Sequence, residues 1–307
     1  MNLEAQKDLQ DSPTFFPEPL ARSVSGPEAV PAAPLRIHAR PKKSDWLWYA
    51  MLALFVVLFV ELVIENPRWQ WDLVAHYLFN KRVLTGLGNT LILTVLSSAL
   101  GLCFGVVVAA CRMADNPILQ GAGYLYIWII RATPPLAMLL FLFFLSALVP
   151  RLYLPLPLLH TTLFDLDTNR IISRFSAAVI GLALYLGGYS AEIFRGGVNA
   201  VDPGQREACK AIGMSDLRMM WHIVVPQAIR IIIPPLANEL ITMFKNTSLV
   251  TVIGYVELLT TVQLIYANNF ETIPLLTVAC IWYLLLTSLA MGAQSLLERH
   301  FRKGVRS

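Results

Sequence analysis

Residues 207–226 read Glu207-Ala208-Cys209-Lys210-Ala211-Ile212-Gly213, nine further residues, then Ile223-Val224-Val225-Pro226. This polar stretch, punctuated by glycine, stands between strongly apolar segments, and its local signals are those of a short capped helix. Just upstream, Asp202-Pro203 offers an N-cap oxygen followed by proline at the first helical position, where φ is preset and no N–H is needed. Gly213 can take the left-handed conformation that ends a helix. Ser215 can cap a second short helix that Pro226 follows. The expectation is a rigid helical knob of about two to three turns, held at a membrane surface.

Outward from this stretch the chain is apolar. Of its 307 residues 56% are hydrophobic and 14% charged, against about 25% charged in soluble domains. Runs close to the ~20 residues that cross a bilayer recur at 46–64, 90–110, 134–149 (short, and extended back towards Leu119), 175–193 and 273–291. A sixth, at 233–256, is interrupted by Asn238, Glu239 and Lys245. The reading is an all-α integral membrane protein of about six transmembrane helices, since a helix satisfies its backbone groups within one segment. Arg131, Pro134 and Pro135 bend and charge the entry to the third span.

With the N-terminus on the inner side, fourteen Lys and Arg fall on inner segments and six on outer loops. Basic loops stay cytoplasmic, so both termini and the 207–226 stretch are expected in the cytoplasm. The net charge of +4 then reflects topology and lipid contact, and no nucleic-acid partner is implied. The four cysteines and five histidines are scattered, which gives neither a disulfide framework nor a metal-ligand set.

Residues 1–44 hold seven prolines and are expected to form a disordered cytoplasmic tail. Residues 45–65 follow as an additional N-terminal transmembrane helix. It contains Glu61 and lacks a small-x-small cleavage site, so it reads as a retained anchor and not as a signal peptide. Residues 296–307 are a basic C-terminal tail. Gly101 and Gly105, four apart, let a neighbouring helix approach closely; packing within the subunit and a dimer face both remain open.

The 207–226 stretch resembles the EAA loop of ABC-transporter permeases, written Glu-Ala-Ala, three residues, Gly, nine residues, Ile-x-Leu-Pro. Cys209 stands for the third small residue and Val225 for the Leu. Four more stretches are similar to the polar amino acid permease family of type I importers. They are Thr-Gly-x-x-x-Thr-Leu at 85–91, Arg131-Ala132-Thr133-Pro134 with Ala132 for a common Gly, and Tyr189-Ser190-Ala191-Glu192-Ile193-Phe194-Arg195-Gly196-Gly197. The last is Lys245-Asn246-Thr247-Ser248-Leu249, with Asn246 for a common Asp. The resemblance covers about residues 84–299 and implies a permease transmembrane domain at 87–295 in a bacterial inner membrane. It implies that Gly204, Glu207, Ala208, Gly213 and Pro226 couple the chain to separate ABC ATPase subunits. ATP acts through those subunits, and this chain binds no cofactor. A second permease subunit, identical or paralogous, and an extracytoplasmic solute-binding protein complete the implied assembly. No Gly-x-x-x-x-Gly-Lys-Ser/Thr occurs, so the chain lacks the phosphate cradle of an ATPase. No nucleophile elbow or His-Glu-x-x-His marks an enzyme either.

Polar groups inside a span are costly and should face a cavity or a partner. Thr133, Asn238, Glu239, Lys245, Thr247 and Ser248 are the candidate substrate pathway. Asn238 and Lys245, seven apart, share a helix face. The ammonium of Lys245 would meet a carboxylate, and Asn238 or Glu239 an amine; an internal Glu239–Lys245 ion pair is the other reading. Glu192 and Arg195, three apart, can form a salt bridge that is structural or gating. The functional expectation is the permease of an ATP-driven amino-acid importer. The alternatives are another small solute, such as an opine or sulfur amino acid, or an ion-coupled secondary transporter.

Overall fold

The computed structural model describes residues 45–156 and 161–302; the proline-rich segment 1–44 and the basic end 303–307 lie outside the described residues. The chain divides into two compact units, Met1–Val60 and Glu61–Ser307. The first contains most of helix α1 (Asp45–Glu65), which is apolar around its whole circumference. A helix hydrophobic on all sides is a membrane span or a buried core element.

In the second unit, a 3₁₀ turn at Pro67–Trp69, capped by the Asn66 side chain, leads into α2 (Trp71–Leu78). Trp71 Nε1 donates to the Val63 carbonyl at 3.0 Å and ties the start of α2 to the end of α1. Helix α3 (Lys81–Met113) has 33 residues, about 50 Å at 1.5 Å per residue, so its ends project beyond a hydrocarbon core of ~30 Å.

Helices α4 (Pro117–Ala132) and α5 (Pro135–Phe143) are bent by 106° at Thr133-Pro134. The residue before a proline is pushed out of the helical region, and Thr133 lies at φ −101, ψ 132. The third span is therefore broken, where the sequence suggested one run extended back towards Leu119. Beyond it come α6 (Leu145–Leu148), strands β1 (Arg151–Leu156) and β2 (Thr161–Asp167), paired antiparallel, and α7 (Thr168–Ile171). This hairpin is the one sheet among the described residues of an otherwise helical protein.

Helix α8 (Arg174–Asn199) runs through the middle of the unit. It opens with a reciprocal capping box between Ser173 and Ser176. After α9 (Pro203–Ala211) and α10 (Asp216–Met219), a π turn at Met220–Val224 runs straight into α11 (Val225–Asn246), continued by a 3₁₀ segment at Thr247–Ile253. Pro226 therefore lies inside the first turn of α11 and does not follow a separate helix. It has no N–H for the preceding turn, and the widened π turn passes that gap. Helices α12 (Leu258–Asn269) and α13 (Thr272–Arg302) complete the chain. Helix α13 includes residues 296–302, the start of the segment read as a basic tail. Among the described residues five helices are long and apolar enough to cross a membrane, or six if the bent α4–α5 pair counts as one span.

Lipid is as apolar as leucine, so close packing, and not water exclusion, holds helices together in a bilayer. The α3–α8 contact shows how. A Cβ at Gly101 would lie 2.8 Å from Leu186 Cβ and 2.9 Å from the Ala183 carbonyl, and one at Gly105 would collide with Ser190 Oγ. The two glycines thus serve packing within the subunit. Around that seam Leu93, Leu139, Leu182, Leu186, Met243 and Val250 form the central core. A second core joins α2, α3, α12 and α13 through Val74, Val83, Val262 and Leu275. A third, with Val198, Cys209, Met219, Val224 and Ala228, underlies the α9–α10 loop.

Candidate functional site

The α9–α10 loop is built by its caps. Asp202 Oδ1 accepts from the Gly204 amide at 2.8 Å, with Pro203 at the first helical position. At the other end Gly213 has φ +73. Its amide bonds the Lys210 carbonyl at 3.0 Å and the Met214 amide bonds the Cys209 carbonyl at 3.0 Å, the pair of reversed bonds of a Schellman stop. Ser215 stands at the N-cap of α10, but its side chain makes no capping bond.

Arg206 reaches back to the Val198 carbonyl, and Cys209 and Met219 are buried beneath. What remains outside is Gly204, Glu207 and Ala208 on one helix, then Ile212 (74% exposed), Leu217 (71%) and Trp221 (63%). Glu207 makes no hydrogen bond or ion pair among the described residues. A rigid knob with an unpaired carboxylate and exposed apolar side chains is suited to a protein groove.

The second feature is a cavity of about 460 Å³ between the end of α4, the last half of α8 and α11. Arg131, Tyr189, Glu192, Asn238 and Glu239 line it, and its size falls in the range of small-molecule sites. Glu192 is held by Arg195, with Nη2 to Oε2 at 2.7 Å and Nε to Oε1 at 3.1 Å. The Arg131 guanidinium lies 5.7 Å from the centroid of the Tyr189 ring. Glu239 Oε1 is buried without a hydrogen-bond partner. The cavity is thus lined by an arginine and by a glutamate whose Oε1 is buried without a partner, so opposite charges stand close together. Pro234 and Pro235 lie one turn before Asn238 in α11. Having no N–H, they leave the carbonyls of Arg230 and Ile231 without their helical donors.

The remaining pathway candidates lie elsewhere. Thr133 ends α4, its hydroxyl bonded to the Ile129 carbonyl at 2.7 Å. Lys245 is exposed two turns along α11 from Asn238 and forms no ion pair with Glu239. Thr247 is fully buried, donating to the Phe244 carbonyl at 2.6 Å, and Ser248 donates to the Lys245 carbonyl at 2.8 Å. The structure thus brings Asn238 and Glu239 together with three groups to which sequence reasoning gives other roles. Arg131 reads there as part of a kink, Glu192 as a salt-bridge partner, and Tyr189 as a motif position.

Sequence reasoning also missed Glu257, which is fully buried at the N-cap of α12. Its Oε1 accepts from the Thr260 amide at 2.7 Å and the Thr260 hydroxyl at 3.0 Å. Its Oε2 accepts from the Leu259 amide and the Tyr283 hydroxyl, both at 2.9 Å. Thr90 adds a longer contact at 3.5 Å. Glu257 therefore joins α3, α12 and α13. The available signal was an acidic residue directly before the apolar run Leu258-Leu259, an N-cap position. No group of His, Cys, Asp or Glu among the described residues is placed to hold a metal.

Residues 101–303 match the model of a family described as the binding-protein-dependent transport system inner membrane component. The chain is 41% identical over 283 residues to the arginine transport system permease protein ArgU of Corynebacterium glutamicum, covering 91% of this chain and 87% of that protein. An alignment of that length cannot leave out α1. The glutamine transport system permease protein GlnP of Escherichia coli is 31% identical over 233 residues, 76% of this chain and 99% of that protein. Among solved structures, an amino acid ABC transporter crystallised with histidines is 32% identical. It covers 71% of this chain and 94% of that one, with a TM-score of 0.61. An inward-facing MetNI methionine ABC transporter is similar in fold alone, at 17% identity, a TM-score of 0.54 and coverage of 71% and 95%.

Proposed function

The chain belongs to the family of binding-protein-dependent transport system inner membrane components, and from that membership we infer that it is the permease subunit of an ATP-driven importer of basic amino acids. Relatives that carry arginine, glutamine and cystine permease names support an amino-acid cargo. The observation that carries the choice of a basic one is Glu239 Oε1, buried without a partner in the same cavity as Arg131. In this reading Arg131 receives the substrate carboxylate through a two-pronged guanidinium contact. Glu239 receives the cationic side chain, while the Tyr189 ring stays beneath the Arg131 guanidinium and holds it in place.

Separate ATPase subunits hydrolyse ATP and dock on Gly204, Glu207, Ala208 and the exposed Ile212, with Gly213 and Pro226 setting the geometry of the knob. A second permease subunit completes the pathway, and an extracytoplasmic binding protein delivers cargo. Nucleotide and loaded binding protein bias two global states, inward- and outward-facing. Both termini face the cytoplasm, in keeping with the charge asymmetry of the loops. Residues 87–295 form the permease core, 1–44 an accessory tail, and α1 an added anchor.

The test is uptake of labelled arginine, lysine and glutamine by cells with and without the gene, normalised to membrane abundance. Glu239→Gln should weaken apparent affinity for arginine roughly ten- to hundredfold, the loss of one hydrogen bond to a charged group, with abundance unchanged. Unaltered arginine affinity in that variant, or glutamine preferred over arginine by the wild type, refutes the assignment of a basic cargo.

A further inference from the structure

A second cavity, of about 560 Å³, adjoins the first at the ends of α3, α4 and α8. It is lined by Arg112, Arg131 and Arg195, together with Tyr124 and Trp128, and its one acidic residue is Glu192. Glu192 is already committed to Arg195 at 2.7 Å, so the cavity keeps a surplus of positive charge. Arg131 stands over the Tyr189 ring on the side of the first cavity, and Arg112 is the cavity's second arginine without an ion pair among the described residues. Its Nε is buried with no hydrogen-bond partner, and its Nη1 makes a single long contact of 3.5 Å to the Gln120 carbonyl.

The position of Arg112 is built into the packing. A Cβ at Gly123 would lie 3.0 Å from Arg112 Cγ and 3.1 Å from its Cδ, so the glycine makes room for the arginine stem. The stem carries the guanidinium to 5.2 Å from the centroid of the Tyr124 ring. Arg112 is in the last turn of α3, a helix longer than the hydrocarbon is thick, which puts it at headgroup level. The flank of α4 beside it is apolar and exposed: Leu125 (54%), Trp128 (57%) and Ile129 (46%).

We propose that this cavity binds the phosphate headgroup of an anionic phospholipid, with Arg112 as its principal contact and the exposed face of α4 against the acyl chains. A phosphate diester would supply acceptors to the free guanidinium edge and offset the surplus charge. Basic pockets between transmembrane helices are the recurring form of such sites, and tryptophan and tyrosine are at home at that depth. A soluble anion shares the phosphate chemistry, but it has no use for the apolar flank. The inference requires only that the chain spans a membrane and is independent of its cargo.

The test is native mass spectrometry of the full-length chain released from nanodiscs with equal phosphatidylglycerol and phosphatidylcholine. The wild type should retain phosphatidylglycerol preferentially. Arg112→Gln should lower that retention about fivefold without changing phosphatidylcholine, Arg112→Lys should keep part of it, and Arg68→Gln should leave it intact. Equal retention of the two lipids by the wild type overturns the proposal whether or not a variant folds. So does undiminished enrichment in Arg112→Gln. Displacement of the lipid by millimolar inorganic phosphate would mean that the site serves a soluble anion. Because uptake is not measured, these outcomes are separate from those that decide the transported substrate.

Discussion

Substitution of Gly213 isolates the backbone contribution to the knob. Beyond Gly213 itself and its two neighbours in the chain, no atom lies within 4 Å of a Cβ built at that position, while φ is +73. A side chain there meets no clash, so any damage must come from conformation. Left-handed backbone costs an ordinary residue about 1–2 kcal/mol, more comfortably tolerated by asparagine and least by β-branched residues. A penalty of that size shifts a local equilibrium roughly 5- to 30-fold. It acts on the two reversed bonds from the Gly213 and Met214 amides, and through them on the turn that lets Cys209 and Met219 share one core. Coupled uptake is therefore expected to be highest in the wild type, with Gly213→Asn close behind, then Gly213→Ala, and Gly213→Val lowest. ATP-driven uptake, measured at equal membrane abundance with hydrogen exchange over residues 203–219, reads both the function and its cause. Wild-type uptake and protection in Gly213→Val, or an asparagine variant as impaired as the valine one, would refute the reasoning.

Two other expectations concern the fold and its orientation. Glu257→Gln sets an NH₂ group among the donors from Leu259, Thr260 and Tyr283; one misplaced buried donor costs about 1–3 kcal/mol. The melting midpoint of the purified protein should fall by several degrees, and an unchanged midpoint would show that the contacts of Glu257 are dispensable. Reporter fusions within residues 195–226 and at the C-terminus should both report cytoplasm; an extracytoplasmic signal from the first would invert the topology and remove the ATPase contact.

Several elements were legible in the sequence because their causes are local. The Asp202-Pro203 start and the Gly213 stop of α9 depend on φ preferences and on backbone groups at most five residues away, so a linear reading could place them. The spans were legible for the same reason, since a helix in lipid must be apolar along its own length, and the broken third span was announced by Pro134-Pro135 even though its 106° angle was not. The β1–β2 hairpin carried no such signal: Pro155 sits within β1 beside an irregular register, and proline argues against a strand.

The cavity lay beyond sequence reasoning for a different reason. Arg131, Glu192 and Glu239 come from three helices, and only the packing of α4 and α11 against α8 brings them to one space. Periodicity put Lys245 on the face of Asn238, but it could not show that two turns of helix separate Lys245 from the cavity, or that Glu239 would lack it as a partner. Glu257 is the sharpest case, since its partners Thr90 and Tyr283 lie on different helices. Caps, breaks and spans follow from short-range backbone chemistry; which charged groups face one another follows from helix packing, and in this protein only the tertiary structure decided it.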